Sequence, residues 1–178
     1  MIGLAAGQLL FGPLSDKYGR RLPLIISMTL FAVATIGCIY SYTIMQFVGW
    51  RLIQGIAGAG GIVISRSVAA DKYSGRELAK MLALIGAING VAPVAAPMGG
   101  GFLAGSVGWT GIFWCLFVLG IILLLGSIHF EESLPVEDRK EKSWRSVFRS
   151  FIDVLRNSSY VCYTLQFGFA QGVLFANI

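Results

Sequence analysis

The chain has 178 residues, of which 56% are hydrophobic and 13% charged, with a formal net charge of +5 and a mean hydropathy of +0.73. A soluble domain has about a quarter of its residues charged, so a soluble globular protein is excluded. Uncharged apolar runs of about 20 residues, long enough to cross a hydrocarbon core of about 30 Å, recur along the sequence and place it among all-α polytopic membrane proteins.

The first apolar run, Met1 to Phe11, is too short to span. It has no basic leader and no cleavage-like site after it, which argues against a signal peptide. The segment 12–21, "GPLSDKYGRR", then interrupts the apolar pattern. Gly12-Pro13 predicts a helix stop there, with Ser15-Asp16 as the cap or turn that follows. Complete spans are predicted at 22–41, 45–68, 78–105 and 110–130, and a further one opens near Ser158 and runs to Ile178. The pattern looks cut at both ends. Stretches such as "LFVLGIILLLGSI", Leu116 to Ile128, are continuously apolar; a transmembrane barrel would alternate apolar and polar residues in short strands and is excluded. Cys38, Cys115 and Cys162 lie singly in apolar runs, without metal or redox spacing, and read as small apolar residues.

Basic residues fix the topology. Lys17, Arg20 and Arg21 fall at the first connection, Lys72, Arg76 and Lys80 at the third, and Arg139, Lys140, Lys142, Arg145, Arg149 and Arg156 at the fifth, so twelve of the 14 bases occupy alternate connections. The intervening "YTI" and "SVGW" carry none. Because Lys and Arg accumulate on the cytoplasmic side, the charged connections are expected inside.

The sequence divides into a helix bundle over 1–130, a hydrophilic connection over 131–157, and the start of a second bundle over 158–178. Within the connection, Trp144, Val147, Phe148, Phe151, Ile152 and Leu155 recur at helical spacing with bases off the stripe, which predicts an amphipathic helix. Anionic lipid of the inner leaflet, or the cytoplasmic ends of the spanning helices, would each match its aromatic face.

The bland reading of 12–21 is a turn with interfacial anchors, but an ordinary inside loop has no need of Asp16. The order Gly12-x-Leu14-Ser15-Asp16-Lys17-x-Gly19-Arg20-Arg21 resembles the loop between the second and third helices of the major facilitator superfamily. That resemblance implies a gating loop in which the acid and bases latch one of two alternating-access states. A carboxylate placed beside a helix N-terminus, stabilised by the aligned dipoles, is the physics expected of Asp16. "RLIQGIAGAGG" is similar to the family's fourth helix, "ISRSVAADKYSGRE" adds a second acid-base loop, and "NGVAPVAAPMGGG" is similar to the fifth-helix antiporter motif, with alanines at Ala92 and Ala96 where glycines are expected. The paired Ala-Pro steps, "GWTGIFW" and "EESLP" resemble the bicyclomycin/chloramphenicol-resistance (Bcr/CflA) branch. By this match the chain runs from the end of helix 2 to helix 7 of a major facilitator fold.

Arg51 carries the most chemistry. A central Arg costs about 2.5–3.5 kcal/mol on insertion scales against about 0.3–0.6 returned by each apolar residue. Snorkelling to the outer interface is one explanation; a role in proton coupling and cavity order is what the resemblance implies. Arg66 lies near the inner end, where snorkelling explains it, and is a secondary candidate. Gln54 and Asn89 either line the cavity or bond neighbouring helices, the latter worth about 0.6 kcal/mol on average. His129 reads as interfacial. In the fifth-helix motif, Pro93, Pro97 and Gly101 fall on one line and Gly100 on the adjacent one, giving a face almost without side chains where two backbones can meet; the resemblance implies a bend and seam that limit leakage.

No nucleophile, metal cluster or phosphate loop is recognisable, so neither an enzyme nor a metal site is expected, and membrane orientation accounts for the positive charge without nucleic acid. The resemblance implies a proton-driven exporter of drugs or other small amphipathic molecules in a bacterial inner membrane. It would use the proton gradient and no cofactor, and work together with the remaining helices of a full-length transporter. A metabolite exporter, or a non-transporting membrane scaffold, stands as the alternative.

Overall fold

The computed structural model describes residues 1–135, 137, 156 and 158–176. Its helices are α1 (Ile2–Tyr18), α2 (Arg21–Ile39), α3 (Ile44–Lys72), α4 (Gly75–Val107), α5 (Trp109–His129) and α6 (Ser158–Ala176). Four of them, α2 to α5, are long and apolar enough to cross a membrane. The amphipathic helix predicted around 144–155 lies outside the described residues.

The largest departure from the sequence reading is at Gly12-Pro13. Helix α1 does not stop there; it continues through Pro13 to Tyr18. A proline removes one backbone donor, yet the chain stays helical, and the break falls instead at Gly19, whose φ of 88° is the left-handed region that favours glycine. Gly108, with φ 77°, does the same work between α4 and α5, which it joins as a single residue. The α2–α3 turn ends in a reciprocal cap. Thr43 accepts from the Gln46 amide at 3.2 Å, while Gln46 Oε1 accepts from the Tyr42 amide at 3.2 Å.

Helix α3 is central, packing against α1, α2 and α4; α2 also packs on α5, and α5 on α4. Small side chains predominate in the core: Ala32, Ala34, Thr35 and Cys38 of α2 and Ala57, Ala59, Gly60 and Ile64 of α3 are buried, together with the larger Phe11, Met28 and Phe113. In lipid no hydrophobic gain accrues from burying large side chains, so close backbone approach supplies the packing. The tightest approach is between α1 and α3. A methyl group on Gly3 would strike the Leu52 carbonyl oxygen, and one on Gly7 the Ile56 carbonyl oxygen. This Gly-xxx-Gly face meets Gly55 and Ala59 of α3. Helix α4 has no buried residue among those described.

Candidate functional site

The first, third and fifth connections come together at one end of the bundle, and Arg20 is the centre of that end. It is 6% exposed. Its Nη1 donates to Asp16 Oδ1 at 2.6 Å and to Ser15 Oγ at 2.8 Å, while Nε and Nη2 donate to the two carboxylate oxygens of Asp71 at 2.8 and 3.3 Å. The planar fork of a guanidinium suits this two-sided clasp. Burial alone would lower the Arg20 pKa, but the hydrogen bonds and charges of Asp71 and Asp16 outweigh it and the net direction is upward. A raised arginine keeps its stabilising charge below its unfolded value and loses it only at higher pH still, so the clasp holds through the physiological range.

Glu132 closes the cluster from the other side. Its Oε1 accepts from the Arg20 backbone N–H at 2.8 Å and its Oε2 from the Arg21 backbone N–H at 3.3 Å. An anion over the free amides at the start of α2 is what the helix dipole favours. Ser133 Oγ donates to Asp71 at 3.3 Å, and Arg21 Nη2 donates to the Ile128 carbonyl oxygen near the end of α5 at 2.6 Å. Asp16 therefore does not have the dipole role expected of it. It lies in the last turn of α1, at the negative end of that helix, and Arg20 stabilises it; Glu132 holds the favourable N-terminal position. Asp71, placed by sequence in a loop, stands in the last turn of α3 because that helix runs on to Lys72. Lys17 stays outside the cluster, with its Nζ 5.3 Å from the Tyr18 ring, and Gly12 faces open space.

A second constellation lies about 10 Å along α3 from its start, at 1.5 Å per residue. Arg51 Nη1 donates to Gln54 Oε1 at 2.8 Å, and Gln54 Nε2 donates to Thr35 Oγ1 on α2 at 2.7 Å. The Arg51 guanidinium also sits 5.5 Å from the centre of the Phe113 ring, itself part of an edge-to-face cluster with Phe47 and Trp109. Arg51 and Gln54 line a cavity of about 650 Å³ with Gly3, Phe31 and Leu116. Among the described residues no carboxylate pairs with Arg51.

The other candidates lie elsewhere. Asn89 lines a separate cavity, and Arg66 is exposed on α3, about 22 Å from Arg51. Helix α4 runs unbroken past Pro93 and Pro97, and among the described residues an added methyl at Gly100 or Gly101 meets nothing within 4 Å. The close backbone seam among the described residues is the α1–α3 one, and its signal, Gly3-xxx-Gly7 facing Gly55-xxx-Ala59, is legible in the sequence. Thr35 carries no marker in the sequence, and Phe113 and Glu132, within "GWTGIFW" and "EESLP", carry none for these contacts.

All of residues 1–178 match the Major Facilitator Superfamily. The chain belongs to that superfamily. This major facilitator chain is 38% identical to an uncharacterized MFS-type transporter, YdgK, of Bacillus subtilis, over 100% of its own length and 45% of the relative's. It is 27% identical to a bicyclomycin resistance protein homolog of Haemophilus influenzae, over 98% of its length and 44% of that protein's. Its fold resembles the crystal structure of the human organic anion transporter MFSD10 (TETRAN), with a TM-score of 0.67 and 25% identity over 82% of this chain and 35% of that one. The chain thus spans less than half the length of these relatives, and it forms part of an all-helical, multi-pass major facilitator fold.

Proposed function

We propose that this chain is part of a proton-coupled exporter of drugs or similar small amphipathic molecules, of the Bcr/CflA branch, in a bacterial inner membrane with its charged end in the cytoplasm. The observation that carries the reading is the Arg20 clasp, which ties α1, the end of α3 and the segment after α5 into one ion-pair cluster. Relatives named multidrug resistance proteins support the substrate class: Multidrug resistance protein 3 of Bacillus subtilis is 30% identical, and MdtL of Shigella flexneri 28%.

In this reading the clasp stabilises one access state. Helix ends cannot separate at the cytoplasmic face until Asp16, Asp71 and Glu132 release Arg20 and the start of α2, so the cluster sets the equilibrium between states. The second constellation supplies coupling. Gln54, anchored on Thr35, fixes the guanidinium of Arg51 in the cavity, and a fixed positive charge there lowers the proton affinity of any carboxylate brought against it. The proton gradient is the energy source, without a cofactor or enzymatic step. Substrate would pass between this bundle and the further helices that the relatives' greater length provides.

The test is drug-stimulated proton flux by the full-length transporter in proteoliposomes, with ethidium or chloramphenicol as the drug. Flux is expected in the wild type, with loss in Arg20→Ala and in Arg51→Ala at unchanged membrane insertion. Drug movement without proton flux, or wild-type flux in both variants, would overturn the proposal.

A further inference from the structure

Helices α2 and α3 run antiparallel past one another in a register fixed at two places. An added methyl at Gly37 of α2 would strike the Trp50 indole of α3, and one at Gly60 of α3 would strike the Ser27 side chain of α2. Thr35 and Gln54 lie between these two close approaches, Thr35 wholly buried and Gln54 4% exposed. Further helices can only bury them more, so their contact belongs to this bundle by itself.

The contact has a direction. Thr35 Oγ1 donates its one proton to the Phe31 carbonyl oxygen at 2.7 Å, and a hydroxyl has no second proton to give. Toward α3 it can only accept, and it accepts from Gln54 Nε2 at 2.7 Å. The other end of the amide, Oε1, is thereby turned toward Arg51 and accepts from its Nη1 at 2.8 Å. A reversed amide would lose both bonds, because its oxygen would face a hydroxyl whose proton is committed and its NH2 would face a guanidinium that has only donors. Arg51 also meets Phe113, a ring held edge-on by Phe47 and Trp109. Of other titratable groups, Cys38 of α2 is within electrostatic reach of Arg51, and the residues of α1 and α5 that line the cavity with it have no ionisable side chain.

We infer that Thr35 is a positioning residue for Arg51: its committed hydroxyl sets the orientation of the Gln54 amide, and through it the place of the guanidinium. The functional consequence rests on the proton-coupling reading above, since a positive charge favours the ionised form of a carboxylate from within about 4–6 Å.

The experiment uses the full-length transporter in lipid nanodiscs with isotope-labelled arginine, the Arg51 nitrogen resonances being assigned by their disappearance in Arg51→Lys. A restrained guanidinium gives separate Nη1 and Nη2 signals. Thr35→Val, which keeps the shape and removes the hydroxyl, is expected to speed their exchange about fivefold, the scale of one hydrogen bond. Thr35→Ser, which keeps the hydroxyl, should match the wild type. Thr35→Cys, a weak acceptor of nearly the same size, makes the same test if the valine variant is not monodisperse. Thr29→Val removes an α2 hydroxyl that donates to Ile25 of its own helix and should change nothing. In proteoliposomes, the pH midpoint of ethidium-stimulated proton flux should move upward by about half a unit in Thr35→Val and by about one unit or more in Arg51→Ala, with no further shift when the two are combined. Unchanged exchange in Thr35→Val and Thr35→Cys, a serine variant as fast as the valine one, or an equal effect of Thr29→Val would overturn the inference, as would a midpoint that moves in Arg51→Ala but not in Thr35→Val. Faster exchange in Thr35→Val with no pH shift even in Arg51→Ala would uphold Thr35 as the residue that places Arg51 and overturn proton coupling at Arg51 instead.

Discussion

Asp71, rather than the Asp16 of the loop motif, is expected to be the stronger anchor of Arg20. Asp71 receives two guanidinium hydrogen bonds and its side chain is 16% exposed, whereas Asp16 receives one and is 47% exposed. Exposed ion pairs contribute about 0.2–1 kcal/mol, and breaking a buried pair costs about 3–5 kcal/mol. Asp16 belongs to the first class. Asp71 lies between the two, at about 2 kcal/mol, which is a change of about 30-fold in the ratio of closed to open clasp at tenfold per 1.4 kcal/mol. Asp71→Asn should therefore open the clasp about 30-fold and Asp16→Asn about fivefold or less. The assay is the rate at which a small maleimide labels Ser15→Cys in a full-length protein whose native cysteines are replaced. Ser15 is fully buried beneath Arg20, so labelling reports opening when reclosure is fast. In an Arg20→Ala background the two asparagine variants should lose their difference. Equal acceleration by the two, or a larger effect of Asp16→Asn, would refute the reasoning.

Glu132→Gln keeps the shape of the cap over α2 but removes its charge, and is expected to lower stability in detergent by about 1 kcal/mol, read as a fall in melting temperature; neighbouring Glu131→Gln should not. At the α1–α3 seam, Gly7→Ala is expected to cost about 1–3 kcal/mol, because the added methyl meets backbone that cannot rotate away. Gly12→Ala, in open space on the same helix, should be neutral or slightly stabilising by the same melting measurement. Arg51→Lys retains charge but loses the fork that reaches Gln54 while lying over Phe113, so most proton-coupled efflux should be lost; full efflux would return Arg51 to an interfacial anchor. Cysteines at Tyr42, 91% exposed, and at Ser74 should label with an impermeant thiol reagent from opposite sides of the membrane, Tyr42 from outside.

The sequence by itself determined the class of protein, the number of complete spans and the alternation of the connections. Those properties rest on local composition: an uncharged run of about 20 residues is stable only across lipid. It also marked Arg20 and Arg51, since a charge within or beside an apolar run stands out against its neighbours. Only the tertiary structure decided what these residues touch. Gly12-Pro13 read as a stop because both residues disfavour a helix interior, yet packing of α1 on α3 carries the helix past them and moves the break to Gly19. Asp71 and Glu132, 51 and 112 residues from Arg20, had no local pattern linking them to it. Their convergence depends on how helices pack, and so does the replacement of Asp16 by Glu132 at the start of α2. Likewise the Arg51–Gln54–Thr35 relay exists only between helices, where geometry is set by backbone approach at residues such as Gly3 and Gly7.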